Sequence, residues 1–222
     1  MPLRSSPRSS RAETRPGRRQ LTLAGLSALS LWLWPARAHA GAQVEEPLAD
    51  AVRSALAAAI ANSAPPKPSF DSTEARLAYL RWLGEMSNRL RKRTADHQTR
   101  VEFLETVWYE SKRAGLEPAL VLGLIQVESG FRKYAISGAG ARGYMQVMPF
   151  WARLIGGGDA LRLFHMQTNL RFGCVILRHY LDIERGDLFM ALGRYNGSRG
   201  RPEYPNLVLG ARRGWDYQPP AA

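Results

Sequence analysis

A carboxylate on an apolar helix face is the first feature of this sequence that could do chemistry. The stretch EPALVLGLIQVESGF, residues 117–131, has apolar residues at helical spacing. With about 100° per residue, Leu120, Leu124 and Glu128 fall within about 80° of one another on a helical wheel. The pattern therefore predicts that Glu128 lies on the buried side of a helix that stops at Gly130.

Burial disfavours the charged form of a carboxyl group and so raises its pKa. A glutamate that is protonated near neutral pH can donate a proton to a leaving group, as the acid in glycosidases does. A structural glutamate that pairs with an arginine, or that extends its head to solvent, fits the same position. The position of Glu128 alone does not choose between these roles.

The glycines after this helix fit a second pattern. SGAGARGYMQVMP, residues 137–149, contains G-x-G-x-x-G, the dinucleotide-binding motif, which needs a strand before it and a long helix after it. Here a helical pattern precedes Gly138, and Pro149 follows Gly143 by only six residues. We therefore expect no nucleotide site, and we expect the glycines to let the backbone fold closely under a ligand.

Metal binding has little support in this sequence. His165, Cys174 and His179 are separated by nine and five residues, unlike the ligands of structural zinc sites. The single cysteine lies in an apolar helical stretch and is expected to be a buried small side chain. We predict neither a metal nor any other cofactor.

The net charge of the chain favours an anionic partner but does not say which kind. The net charge is +12, and residues 1–40 contribute seven arginines and one glutamate, so each part of the chain carries +6. A basic surface suits an anionic polymer, which can be nucleic acid, a membrane surface or an acidic cell wall.

Residues 1–40 have the layout of a cleavable export signal. A basic start is followed by an apolar run at residues 21–34 and by the small-residue site Ala38-His-Ala40. Fourteen apolar residues are fewer than the ~20 that span a bilayer, although an uncleaved anchor stays an alternative. The pair Arg18-Arg19 resembles a twin-arginine signal, and a general secretory signal fits equally well. We predict an exported, periplasmic or cell-wall-associated protein.

The rest of the chain reads as mainly helical. Helices are predicted at 45–63, from Asp71, from Thr99 to 113, from Pro118, at 169–181 and at 187–195, and no run of alternating strands is found. We divide the exported chain into an N-terminal helical region with a Pro-rich linker, residues 41–96, and a domain with a C-terminal tail, residues 97–222.

The stretch from Glu128 to Pro149 resembles the signature of the soluble lytic transglycosylases. Glu128-Ser-Gly-Phe131 is followed by Gly140-Ala-x-Gly143-x-Met-Gln-x-Met-Pro149, and later by Tyr195-Asn196-Gly197. The similarity covers about residues 97–210. It departs from the family at Tyr144, where leucine is usual, and at Gly197-Ser198, where Ala-Gly is usual.

This resemblance implies a lysozyme-like, goose-type helical domain that cleaves the β-1,4 bond from N-acetylmuramic acid to N-acetylglucosamine. Glu128 would be the only acid and base, and the product would carry a 1,6-anhydro ring. The implied sugar-contacting residues are Ser137, Gln146, Met148, Tyr195 and Asn196, while Gly140, Gly143 and Pro149 would shape the loop. Trp151, Tyr204 and Trp215 could stack on sugars or pack in the core.

The implied partners are peptidoglycan strands, with secretion-system or wall-synthesis proteins as further candidates, and no nucleic acid. A monomer is expected. Two other functions stay open. A hydrolytic lysozyme on the same fold would need a second carboxylate, for which the candidates are Asp159, Asp182, Glu184 and Asp187. A non-catalytic wall-binding or secretion-assembly protein would not need a buried acid.

Overall fold

The computed structural model of the chain describes residues 43, 45–61 and 68–218. Eight α-helices and one 3-10 helix form within these ranges, and β-structure there is limited to two isolated antiparallel bridges. The predicted mainly helical fold is confirmed. The helices are α1 (Asp50–Ala61), α2 (Thr73–Leu90), α3 (His97–Arg113), α4 (Pro118–Glu128), α5 (Pro149–Ile155), the 3-10 helix (Ala160–Phe164), α6 (Met166–Ile183), α7 (Leu188–Asn196) and α8 (Glu203–Arg213).

The predicted export signal, residues 1–40, and most of the Pro-rich linker lie outside the described residues. In the part of the chain that is described, no helix has both the length and the apolar character needed to cross a membrane. The boundary proposed between residues 96 and 97 stays a prediction.

Two helix starts were predicted wrongly. Ser72, not Asp71, caps α2, because its hydroxyl accepts a hydrogen bond from the backbone N–H of Ala75 at 3.1 Å. Asp96 caps α3 by accepting from the N–H of Thr99 at 2.7 Å, so Thr99 lies inside the helix. In each case the capping residue has an extended backbone and a short side chain that reaches the third residue beyond it.

The sequence analysis missed α5, the 3-10 helix and α8. The first two contain only seven and five residues, too few to show a helical period. The third has Pro205 as its third residue, where a helix tolerates proline because the first turn has no partners for its N–H groups.

The helix α4 lies at the centre of the domain. It packs against α3 on one side and α8 on another, while α6 packs against α3 and α7. Eight of its eleven residues are buried, as expected for a helix that is apolar almost all round. The last of those buried residues is Glu128. The packing that forms the core therefore also buries a carboxyl group.

The contact between α4 and α8 depends on a glycine. A Cβ atom on Gly123 would lie 2.6 Å from the backbone nitrogen of Arg212 and 3.1 Å from the carbonyl oxygen of Val208. Real Cβ atoms do not approach backbone atoms this closely, so only glycine lets the two helices meet here.

We expect Gly123→Ala to destabilise the protein by about 1–3 kcal/mol, because the added methyl group forces α8 away from α4. Urea unfolding measures this change. Gly210→Ala is the matched control, since that glycine is exposed on α8 and has nothing within 4 Å of an added Cβ. The control should be neutral or stabilising by up to ~1 kcal/mol. Equal stability of the two variants would contradict the close approach of α4 and α8.

Candidate active site

The end of α4 holds the candidate catalytic acid. Glu128 is the last residue of the helix and only 6% exposed. Ser129 follows as the cap, and Gly130 and Phe131 then turn the chain away with φ values of 58° and 67°. A left-handed conformation at a phenylalanine is unusual, so this sharp helix end is held by packing. Phe131 is buried against Phe103 and Trp215.

One hydrogen bond orients the Glu128 carboxyl group. The hydroxyl of Tyr204, near the start of α8, donates to Glu128 Oε1 at 2.5 Å. Tyr204 is itself only 2% exposed, so this bond is formed away from water. The close approach of α8 to α4 therefore places a phenol against the acid.

The environment of Glu128 favours its neutral form. Burial raises its pKa to about 8, and the hydrogen bond from Tyr204 opposes this rise without cancelling it. The second oxygen, Oε2, is buried, and no donor or acceptor among the described residues reaches it. At neutral pH the group is therefore mostly protonated, with one oxygen held by Tyr204 and the other buried without a hydrogen-bond partner among the described residues.

Tyr195 makes its hydrogen bond to the loop beside the acid and not to the acid itself. Its hydroxyl donates to the carbonyl oxygen of Met145 at 2.8 Å, and its side chain is fully buried. Its pKa is raised well above the usual value, first by burial and then by the charge of Glu128. Tyr195 thus supports the loop close to the acid, while the hydroxyl on the acid belongs to Tyr204.

The sequence analysis weighed Tyr204 only as a stacking or packing residue. A signal for the hydrogen bond was present, since a phenol on an apolar helix face normally needs a buried partner for its hydroxyl. Which buried acceptor it meets depends on the packing of α8 against α4, which local spacing does not reveal.

The glycine-rich loop, residues 137–149, is held in place by hydrogen bonds to one asparagine and is called the pinned loop below. Asn169 of α6 accepts from the N–H of Met145 at 2.8 Å and donates to the carbonyls of Arg142 and Leu163 at 2.8 Å each. Gly143 has φ of 75°, and a Cβ there would lie 2.6 Å from the Leu163 carbonyl oxygen. Of the residues predicted to shape the loop, Gly143 is the one in close backbone packing. Gly140 also has a positive φ, of 86°, and Pro149 is the first residue of α5.

Two of the predicted sugar-contacting residues make hydrogen bonds within this loop. The Ser137 hydroxyl accepts from the N–H of Ala141 at 3.1 Å. Gln146 is buried with φ of 48°, and its amide nitrogen donates to the carbonyls of Ala135 and Gly143. Their donor and acceptor groups thus hold the loop shape, whatever they contact beyond it.

The other two residues of that set lie at helix ends. Met148 is half-buried and directly precedes α5. Asn196 is the last residue of α7, and its amide nitrogen donates to the Ser198 hydroxyl at 3.0 Å. The side-chain oxygen of Asn196 is buried without a partner among the described residues.

The candidate active site is recognised by the environment of Glu128, because that residue does not line any of three cavities in the described part of the chain. Cavities of about 440, 560 and 480 Å³ lie beside α1, between α1 and α6, and between α2 and the C-terminal segment, and Glu128 lines none of them. We give weight to Glu128 because it combines a raised pKa, burial and an unpartnered oxygen.

Comparison with known proteins shows what the domain is similar to. Residues 105–205 match the family described as the transglycosylase SLT domain. The chain is 34% identical over 116 residues to a transglycosylase of Enterobacteria phage PRD1, a match that covers 49% of this chain and 42% of that protein. It is 50% identical over 84 residues to the membrane-bound lytic murein transglycosylase C of Actinobacillus pleuropneumoniae serotype 5b (strain L20), covering 34% of this chain and 23% of that protein.

A solved structure is also similar. An inactive glutamate-to-glutamine mutant of the lytic transglycosylase Slt from Pseudomonas aeruginosa aligns with 63% of this chain and 27% of that chain, at 22% identity and a TM-score of 0.41. The chain spans less than half the length of either curated relative. The resemblance seen in the sequence is confirmed, and the matched range contains both Glu128 and Tyr204.

We expect Tyr204→Phe to raise the pKa of Glu128 further above 8, because the lost hydrogen bond stabilised the carboxylate. Carbon-13 NMR titration of labelled glutamate side chains measures it. Tyr195→Phe is the matched control: it removes a buried phenol hydroxyl that bonds to a backbone carbonyl, so the pKa of Glu128 should stay near 8. A pKa near the usual 4.5 in the unmutated protein would contradict the burial argument.

The raised pKa also predicts a pH-dependent stability. Between pH 4.5 and 8 the folded chain holds a proton on Glu128 that the unfolded chain releases. This group therefore favours the folded state most below pH 4.5, and the benefit is lost as the pH rises through 8.

Glu128→Gln removes this titration while nearly keeping the shape of the side chain. Its free energy of unfolding should rise relative to the unmutated protein as the pH goes from 4.5 to 8, by on the order of 5 kcal/mol at most. Denaturant unfolding at a series of pH values measures the difference. A difference that does not change with pH would contradict a raised pKa in the folded state.

Proposed function

Because the chain carries a transglycosylase SLT domain over residues 105–205, we propose that it is a peptidoglycan lytic transglycosylase in which Glu128 is the single acid and base. The observation that carries the proposal is the buried Glu128 carboxyl group with a pKa raised to about 8. Such a group is protonated at neutral pH and becomes a strong base once it has given up its proton.

In the first step, the protonated Glu128 donates to the oxygen of the bond between N-acetylmuramic acid and N-acetylglucosamine. The bond from the muramic C1 to that oxygen breaks, and the N-acetylglucosamine leaves with a new hydroxyl group. Oε2 is the oxygen suited to this transfer, since Oε1 is held by Tyr204. A glycosidic oxygen at hydrogen-bond distance would also supply the partner that Oε2 lacks.

In the second step, the C6 hydroxyl of the same muramic sugar attacks C1, and its proton passes to the Glu128 carboxylate. A 1,6-anhydro ring forms, the acid is restored, and no water is consumed. Attack within one sugar ring benefits from proximity, so no second carboxylate is needed to activate a nucleophile.

The carboxylates that a hydrolase would need are occupied elsewhere. Asp159 and Asp187 accept from the backbone N–H groups of Leu161 and Met190 at the starts of the 3-10 helix and α7. This gives each of them a capping role in place of a water-activating one.

The two remaining candidates pair with arginines. Asp182 is exposed and pairs with Arg178 at 2.5 Å. Glu184 accepts from Arg194 and Arg199, and these bonds, chiefly the one from Arg199, lower its pKa to about 2. A carboxylate held so firmly in its charged form is a poor base, so transglycosylation is favoured over hydrolysis.

The residues that contact the sugars stay a proposal. Asn196 is the member of the set with a buried, unpartnered acceptor, which suits an N-acetyl N–H or a sugar hydroxyl. Ser137, Gln146 and Met148 would contact the strand from the pinned loop. We propose that Tyr195 acts through Met145, by fixing the backbone beneath the sugars.

We place the protein at the cell envelope, because its relatives include proteins named membrane-bound lytic murein transglycosylases. Export through the segment 1–40, by the general or the twin-arginine route, remains a prediction. So do a monomeric state and an association with secretion-system or wall-synthesis proteins.

Digestion of purified peptidoglycan tests the proposal. We expect soluble fragments with 1,6-anhydromuramic ends, identified by mass spectrometry. Glu128→Gln should lower the rate by about 10²–10⁴-fold, because an amide cannot donate or accept the proton. Asp182→Asn is the matched control, and its activity should be unchanged because that carboxylate is exposed and pairs with Arg178.

Two results would overturn the proposal. Fragments that end in reducing muramic acid, together with a loss of activity in Asp182→Asn, would indicate a hydrolase with a second carboxylate. Binding to peptidoglycan without any cleavage by the unmutated protein would indicate a non-catalytic wall-binding protein.

A further inference from the structure

An aromatic pair, one exposed ring and one half-buried ring, lies a few residues beyond the candidate acid in the sequence. Tyr134, in the segment that follows α4, is 70% exposed. Its ring lies 6.1 Å from that of Phe164, at the end of the 3-10 helix, with the two planes tilted by 45°. An exposed tyrosine beside a second aromatic ring presents an apolar face that a ligand can contact.

A cation lies over each of these rings. The Lys133 ammonium nitrogen is 5.3 Å from the centre of the Tyr134 ring, and the Arg142 guanidinium carbon is 5.5 Å from that of Phe164. Arg142 is held in place by a 2.9 Å hydrogen bond from its side chain to the carbonyl oxygen of Ala160. These four residues, Lys133, Tyr134, Arg142 and Phe164, are called the aromatic-cationic patch below.

The patch is continuous with the pinned loop of the candidate active site. Isolated antiparallel bridges join Arg142 to Ile136 and to Val147. The backbone carbonyl of Arg142 also accepts from the side chain of Asn169 at 2.8 Å. The patch is therefore formed in advance, and a ligand would not have to order it.

The chain around the patch is rich in cations. Residues 129–158 contain Arg132, Lys133, Arg142 and Arg153 and no aspartate or glutamate, while Arg153 pairs with Glu45 and Asp159 caps the 3-10 helix that carries Phe164. Lys133 and Arg142 give the patch itself two positive charges, which suit a polymer that carries carboxylates.

We propose that the aromatic-cationic patch is an accessory binding surface for an anionic peptidoglycan strand that extends from the Glu128 site. The aromatic rings would pack against the C–H faces of pyranose sugars. The cations would pair with the carboxylates that the strand carries, on the muramic lactyl groups or on the attached peptides. This inference rests on the proposed function.

The position of the patch supports this ligand. Tyr134 follows Glu128 by six residues, so their Cα atoms lie at most about 22 Å apart. A strand a few sugars long is therefore long enough to span the distance from Glu128 to the patch. A neutral aromatic surface would suit any sugar polymer, whereas the added cations favour one that carries carboxylates.

Sedimentation with insoluble peptidoglycan tests the aromatic part in a Glu128→Gln background, where cleavage cannot change the ligand. We expect Tyr134→Ala to weaken binding about three- to tenfold, and Tyr134→Phe to keep it, because the ring and not the hydroxyl makes the contact. Leu80→Ala removes another large exposed apolar side chain and should bind like its parent. Thermal unfolding should give the same Tm for all of these variants.

The charge part needs a second pair of variants. Lys133→Gln should weaken binding, and more strongly at low salt than at high salt. Lys112→Gln is the matched control, because Lys112 also lies over an aromatic ring, that of Trp108 at 5.1 Å, on α3. It should leave binding unchanged.

Soluble ligands identify the source of the carboxylates. Chitin oligomers, which are neutral, should bind weakly and show no effect of Lys133→Gln. Peptidoglycan strands stripped of their peptides by an amidase carry lactyl carboxylates that are freed when the amide bond to the peptide is hydrolysed. An effect of Lys133→Gln on these strands would assign the contact to the lactyl groups, and an effect only on intact strands would assign it to the peptides.

Failure of this inference differs from failure of the proposed function. Equal binding by Tyr134→Ala and its Glu128→Gln parent, together with cleavage by the unmutated protein, would overturn the patch while leaving Glu128 in its role. Weakened binding by Tyr134→Ala in a protein that proves unable to cleave would support the patch and overturn the enzymatic proposal.

Discussion

The fold is organised around the cost of keeping a carboxyl group out of water. Glu128 ends an almost wholly buried helix, and an ionised carboxylate there would lose much of its hydration. The structure offsets this cost in two ways. The group takes its neutral form, since burial raises its pKa to about 8, and Tyr204 satisfies one of its oxygens. Both depend on α8 lying directly against α4, and that contact depends on Gly123.

The burial of the Glu128 carboxyl group also underlies the acid–base role that we propose for it. A carboxyl group that stays protonated at neutral pH is ready to act as an acid, and its Oε2 has no hydrogen-bond partner among the described residues. The neighbouring loop is fixed by Asn169 and by the close packing of Gly143, so its shape does not depend on a ligand. The other candidate carboxylates cap helices or pair with arginines, which is consistent with the proposed reaction that uses one carboxylate and no water.

Much of this could be predicted from the sequence, and the limits have a physical reason. Helical periodicity placed Glu128 on the buried face, and Pro118 marked the start of its helix. Periodicity is a local property, however. The partner of Glu128 lies 76 residues further along the chain, and nothing near Tyr204 in the sequence specifies which buried acceptor its hydroxyl meets. The same limit explains Tyr195, whose hydroxyl supports the Met145 backbone.

The source of the oxygen in the muramic product tests the central claim most directly. Peptidoglycan would be digested in water enriched in oxygen-18, and the products would be reduced at once with borohydride. The masses of the muramic ends would then be measured by mass spectrometry. If Glu128 acts alone, C1 is captured by the C6 oxygen of the same sugar, and the ends carry no label. Muramic ends that carry one labelled oxygen would show that water attacks C1, and would contradict the account of a single buried acid and base.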